Sequence, residues 1–193
     1  PESRMAAAAR LGRAEGDEER QAALSGLTRL AKDAHAGVRA TAMAGLGSLG
    51  EESVLEVVLP GLEDPFPEVR EFAALALGQI GGARALEALK GALHHHAAEV
   101  RFHAATAVAE LDPEHAAPLL IALLEDKDPE VRASVVGALA SLEEAHHAGH
   151  LARALDDAVP SVRLEAALAL AQRGDARGES VLLEALGRGE RLL

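Results

Sequence analysis

Nine histidines and 31 acidic residues stand against 19 lysines and arginines in this chain, so metal binding and proton transfer are the first chemistries to weigh. In AHHAGH, His146 and His150 are spaced i,i+4, one turn apart on a helix, as in helical metal pairs. His115 lies 31 residues before His146. If that interval separates stacked helices, the three imidazoles come within about 10 Å and a three-histidine site is geometrically possible. A second group, His94 to His96, falls at a helix end and turn. Against a metal, His147 and His150 occupy columns that hold Ala or Val elsewhere, which reads as space-filling. No resident metal or cofactor is expected.

Asp33, Asp64, Asp126 and Asp157 recur five residues before a valine, with His95 in that place in the middle copy. A row of carboxylates could serve acid–base work. A catalytic group is needed once, however, whereas a stacking device is needed in every copy. These aspartates are therefore expected to cap the following helix and pair with the arginine that follows each valine. That arginine has donors enough to satisfy loop carbonyls as well.

Other chemistries lack their residues. With no cysteine there is no disulfide or thiol nucleophile, and no G-x-S-x-G, P-loop or Asp/Asn-rich calcium loop occurs. GLGSLG (Gly45 to Gly50) aligns with ALGQIG and follows a helix pattern, so it reads as a helix end. A net charge of −12 argues against nucleic acid and anionic membrane surfaces as partners. No apolar run approaches the roughly 18 residues of a membrane span, and no signal peptide is visible. The chain opens on Pro1, which reads as processed or cut from something longer. A cytoplasmic monomer is the expectation.

The elements that must position these residues follow from a period. Val-Arg occurs at Val38, Val69, Val100, Val131 and Val162, each 31 residues from the last. The pairs Val58/Leu62, Leu89/Leu93, Leu120/Leu124, Leu151/Leu155 and Leu182/Leu186 keep the same beat, as do Leu46, Leu77, Val108, Leu139 and Leu170. A fixed period of this size marks a solenoid. In each copy Val69, Ala73, Leu77 and Ile80, or their equivalents, form one apolar stripe of a helix. Pro67 suits its first turn and Gly81 its end. A second helix, Ala83 to His94 in this copy, presents Leu86, Leu89 and Leu93. Neither helix is long enough to be stable alone in water, so neighbours must supply the stability. SRMAAAARLG (Ser3 to Gly12) matches the later part of a Val-Arg helix, with Arg4 in the arginine column. Arg4 lies 35 residues before Arg39, which places a four-residue insertion in RAEGDEER. About twelve helices in one domain, residues 1–193, are expected.

DPFPEVREFAALALGQIG and DKDPEVRASVVGALASL resemble HEAT-like repeats of the phycobilisome-lyase type, with their D-x-x-x-x-VR-x-x-A-x-x-A-L-G pattern. The resemblance runs over nearly the whole chain. It implies an all-α, right-handed α-α superhelix of about six stacked two-helix repeats, with the Val-Arg helices lining its concave side. It also implies a protein-binding scaffold more than an enzyme. Deoxyhypusine hydroxylase is built from similar repeats and holds iron through His-Glu dipeptides. None occurs here, since His103 is followed by Ala104. Bilin lyase subunits share the repeat, and the resemblance keeps an enzyme subunit of that lyase/isomerase type, or a metal-binding protein of this repeat class, as the alternative function. Against the first, this chain has no tyrosine or tryptophan to sandwich a tetrapyrrole.

Columns that face solvent are free to vary, and here they carry the functional signal. On the Val-Arg helices they read Glu68, Glu71, Phe72, Leu75 and Gln79, then Glu99, Phe102, His103 and Thr106. Glu130 follows in the next copy, and Leu164, Glu165 and Leu168 in the last. Phe72, Leu75, Phe102, Leu164 and Leu168 are apolar where folding does not demand it, among glutamates. Exposed apolar groups ringed by charge indicate a contact surface. The expected partner is a basic or amphipathic peptide or helix of another protein.

Overall fold

The computed structural model describes residues 1–142 and 148–190, the last three by backbone alone. Twelve α-helices and no strand are found among them. The Val-Arg helices are α3 (Ala36–Leu49), α5 (Pro67–Ile80), α7 (Ala98–Leu111), α9 (Pro129–Ser141) and α11 (Pro160–Gln172), starting every 31 residues. The short α1 (Glu2–Leu11) belongs to the same series. Between them run α2 (Asp17–Leu30), α4 (Leu55–Val58), α6 (Gly82–Ala92), α8 (Pro113–Ile121), α10 (Ala148–Arg153) and α12 (Glu179–Glu190).

Local chemistry accounts for these boundaries. Pro67, Pro129 and Pro160 open α5, α9 and α11, where an amide proton would have no helical partner. Gly50 closes α3 in the left-handed conformation, at φ 66° and ψ 25°. GLGSLG is thus a helix end. The second helices depart from the continuous segments expected. The helix α4 stops at Val58 and continues as a 3-10 turn, Leu59–Glu63. Pro60 has no amide proton for an α-helical bond, and its ring crowds the carbonyl four residues back.

The chain forms two compact units, Pro1–Leu111 and Asp112–Leu193. In the first, α3 packs on α1 and α5, and α5 on α7, while α2, α4 and α6 each lie against the Val-Arg series. In the second, α9 packs on α11, with α8 and α10 beside them and α12 on α11. The close Val-Arg layer requires small residues: a β-carbon on Gly47 of α3 would fall 2.7 Å from Ala76 Cα of α5. Val38, Val69, Val100, Val131 and Val162 are all buried, as are Leu46, Leu77, Val108, Leu139 and Leu170. A fully buried aliphatic side chain contributes about 1.5–3 kcal/mol, so these columns are a main support of the stack. The second-helix column weakens along the chain. Leu89 and Leu93 are buried, but Leu186 is 67% exposed. Its helix packs on α11, and among the described residues no further helix covers its other side.

Candidate functional site

The repeated polar residues form a ladder. Arg39 of α3 donates from Nε and Nη2 to the two carboxylate oxygens of Asp64, at 2.7 and 2.8 Å. Arg132 does the same to Asp157 at the same distances, again 25 residues on. Arg4 reaches Asp33, 29 residues on, the four extra residues being the insertion read from the sequence. The third nitrogen, Nη1, turns back to its own repeat: Arg39 donates to the Asp33 and Ala34 carbonyls, Arg101 to those of His95 and His96. Each aspartate in turn accepts a backbone N–H two residues ahead, as Asp64 does from Phe66 and Asp157 from Val159. One guanidinium therefore ties a loop to itself and to the next repeat. The expected pairing with the repeat arginines is present. The expected capping is not: α3, α5 and α11 have no side-chain cap, because Asp33, Asp64 and Asp157 accept the amide of the residue just ahead of each helix instead of one in its first turn.

Their acidities follow. Donation from Arg132 is the main influence holding Asp157 below its ordinary range, against its partial burial. For Asp64 burial is the largest single influence and works upward. Donation from Arg39 and from the Phe66 amide, with the nearby arginine charges, outweighs it and the net shift is down.

In the third repeat the ladder changes. His95 stands where the aspartate would be, and its Nδ1 takes over the turn by accepting the Ala97 N–H at 3.1 Å. Arg70 instead gives Nε to Glu99 Oε1 at 2.8 Å, with Nη2 on the same oxygen. Glu99, read from sequence as a free charge beside the apolar patch, is thus partly buried and committed to Arg70.

None of the other predicted contact residues is buried. Glu68, Gln79, Glu130 and Leu168 are exposed, whereas Glu71, Phe72, Leu75, Phe102, His103, Thr106, Leu164 and Glu165 are partly so. Phe72 was expected to face solvent and is only half accessible, so its ring also helps the packing. On adjacent helices of the first unit, Glu71 Oε1 and His103 Nε2 lie 3.7 Å apart. The Phe102 ring meets the His103 ring edge-on, with centroids 4.9 Å apart. Glu71, His103 and Phe102 therefore form one string across α5 and α7. Burial is the chief influence that lowers the His103 imidazole below its ordinary range, and Glu71 opposes it. Glu130, Leu164, Glu165 and Leu168 lie in the second unit. There Glu165 Oε1 comes within 3.5 Å of where a β-carbon on Gly137 would stand, so it fills some of the room left by α9.

Two sequence readings look different in the structure. Phe66, not chosen as a contact residue, is the most exposed aromatic at 50%, and Arg39 lies 5.6 Å over its ring. The available signal was its column: Phe66 is the residue just ahead of α5, a position that no core stripe uses. Among the histidines of the proposed metal trio, His115 is exposed and paired at 2.8 Å with Asp112 of its own helix start. His146 lies outside the described residues, as does His147.

Helix pairs stacked at a fixed interval and tied by an arginine–carboxylate ladder define an α-solenoid of helical repeats. The chain belongs to the HEAT-repeat family, whose model matches residues 24–109, 92–158 and 117–192. No curated protein matches it. Solved structures resemble it in fold. A designed armadillo repeat protein in complex with the peptide (KR)4 is 22% identical, with TM-score 0.53 over 88% of this chain and 91% of that one. An engineered protein from a structural genomics programme is 21% identical, with TM-score 0.53 over 93% and 92%. Human deoxyhypusine hydroxylase in complex with glycerol is 22% identical over 86% and 77%, but its TM-score of 0.45 is too low to bear on activity.

Proposed function

We propose that this chain is a non-enzymic interaction module whose Val-Arg helices hold a basic or amphipathic segment of another protein. The observation that carries the reading is the string of Glu71, His103 and Phe102 across α5 and α7, with Phe72 and Leu75 beside it. These side chains keep solvent access while Val69, Ala73, Ala76 and Leu77 of the same helix are buried. Folding buries the second set, while the first keeps a solvent-facing side beside its contacts within the fold. Binding of (KR)4 by a designed repeat protein of similar fold makes a cationic peptide a sensible first probe. Glu68 and Glu71 would attract such a segment and raise its association rate, and the half-exposed rings would hold it. With this reading go a single repeat domain over residues 1–193, a monomeric state and a cytoplasmic location, and no role for nucleic acid or membrane. Among the described residues no helix is long and apolar enough to cross a membrane.

The test is titration of a labelled peptide of alternating lysine and arginine, and of an amphipathic basic helix, by fluorescence anisotropy at two salt concentrations. At least one should bind, and Phe72→Ala should weaken it about thirtyfold, near 2 kcal/mol. Equal binding by the wild type and Phe72→Ala, abolished by salt in both, would reduce the attraction to overall charge and overturn the reading.

A further inference from the structure

The break in the ladder leaves a group with donor atoms of another kind. We propose that Glu63, His95 and His96 form a site for a divalent transition metal of the zinc class. It lies in the first unit, on the turns that join the second helices to the Val-Arg helices, and is independent of the peptide-binding reading. Glu63 ends the 3-10 turn after α4, while His95 and His96 occupy the turn between α6 and α7. One donor atom from each lies within 4.8 Å of the other two. The His95 and His96 rings are tilted by 37° with centroids 4.2 Å apart, and His95 Nε2 is 3.2 Å from Glu63 Oε1.

Two imidazoles and a carboxylate are a ligand set that zinc accepts, with a fourth position left for water or a partner's side chain. At zinc–ligand distances near 2.1 Å, tetrahedral donors stand about 3.4 Å apart. Glu63 and His95 already stand near that distance, so closing the set needs movements on the order of 1 Å toward His96, which the solvent-exposed His96 and Glu63 side chains can supply. The loop is held from behind, because Arg101 Nη1 donates to the carbonyls of both His95 and His96.

The change of ladder partner is what makes the site available. Asp33, Asp64 and Asp157 are each taken by the arginine of the preceding repeat, which places a guanidinium where a metal would have to sit. In this repeat Arg70 is drawn to Glu99. Position 95 is thereby released from the guanidinium and turned toward Glu63. There is a cost on the ring itself. Nδ1 accepts the Ala97 N–H, so Nε2 now carries the ring proton and donates it to Glu63. A metal at Nε2 displaces that proton, the ring takes one from solvent at Nδ1, and the Ala97 contact is given up. That loss makes the site an exchangeable one more than a structural one.

The experiment is isothermal titration of zinc chloride into the untagged, metal-free chain, with the melting temperature recorded in parallel. Wild type should bind one equivalent and melt higher with zinc, since a ligand held by the folded state stabilises it. His95→Asp restores the residue found at the other turns and returns to Arg70 its usual partner, so it should fold; it and Glu63→Gln should bind at least tenfold more weakly. His94→Ala should bind as wild type does. Absence of a one-equivalent site in wild type, undiminished affinity in His95→Asp and Glu63→Gln, or an equal loss in His94→Ala would each overturn the assignment.

Discussion

Arg70 gives its Nε to Glu99 Oε1 at 2.8 Å, while its counterpart Arg39 holds Asp64 in the preceding turn. The carboxylate has moved from the turn to the first turn of the following helix, α7. Glu99→Ala should therefore behave as a structural mutation. It strands the Arg70 guanidinium, whose side chain is only 13% exposed, and should cost about 1–3 kcal/mol in urea denaturation. An unchanged unfolding midpoint would return Glu99 to the contact surface.

Arg101 is the one fully buried charged residue found among those described, at 5% exposure, and it serves two loop carbonyls. Arg101→Ala should destabilise by about 1–3 kcal/mol, because those carbonyls lose their donor without gaining water. A melting curve identical to wild type would show the loop to be held by other contacts.

Glycine positions give a pair of opposite expectations. Gly47→Ala places a methyl 2.7 Å from Ala76 Cα, and the backbone must shift, costing about 1–3 kcal/mol. At Gly91, on the exposed side of α6, nothing lies within 4 Å of an added β-carbon. Gly91→Ala should stabilise by about 0.5–1 kcal/mol through the unfolded chain's lost freedom. Thermal denaturation of both variants checks the close packing of the Val-Arg layer directly.

Stability should fall with pH in two stages. His103 is held below its ordinary 6.5, so its neutral form is favoured by folding. That contribution is complete above pH 6.5 and is lost as the pH drops toward the folded value. Asp64 and Asp157 are also depressed, from 3.8, so their contribution persists through the mildly acidic range and goes only below about pH 4. Urea midpoints measured from pH 8 to pH 3 should show both stages. His103→Gln should flatten the upper stage alone; if it persists in that variant, another group is responsible.

Periodicity makes the architecture legible in the sequence. A 31-residue beat of Val-Arg and of Leu columns can bury its apolar stripes only by stacking helix pairs, and local signals such as Pro67 and Gly50 mark where helices start and stop. The aspartate–arginine ladder was legible for the same reason, since a polar pair that recurs from copy to copy must serve the stack. The insertion before Arg39 was countable and reappears in the Arg4–Asp33 spacing. What one copy does differently could not be read this way. That Arg70 would turn to Glu99, leaving His95 to face Glu63, depends on how far a guanidinium reaches between adjacent repeats. That distance is set by the packing of α5 on α7. Phe72 and Phe66 show the same limit. Both fall outside the core stripe, and the column pattern treats them alike. One lies half-covered on a packed helix and the other stands exposed on the turn ahead of α5. Sequence determined which residues the fold requires; only the tertiary structure decided what the remaining ones touch, because those contacts are made between repeats and no periodic pattern encodes them.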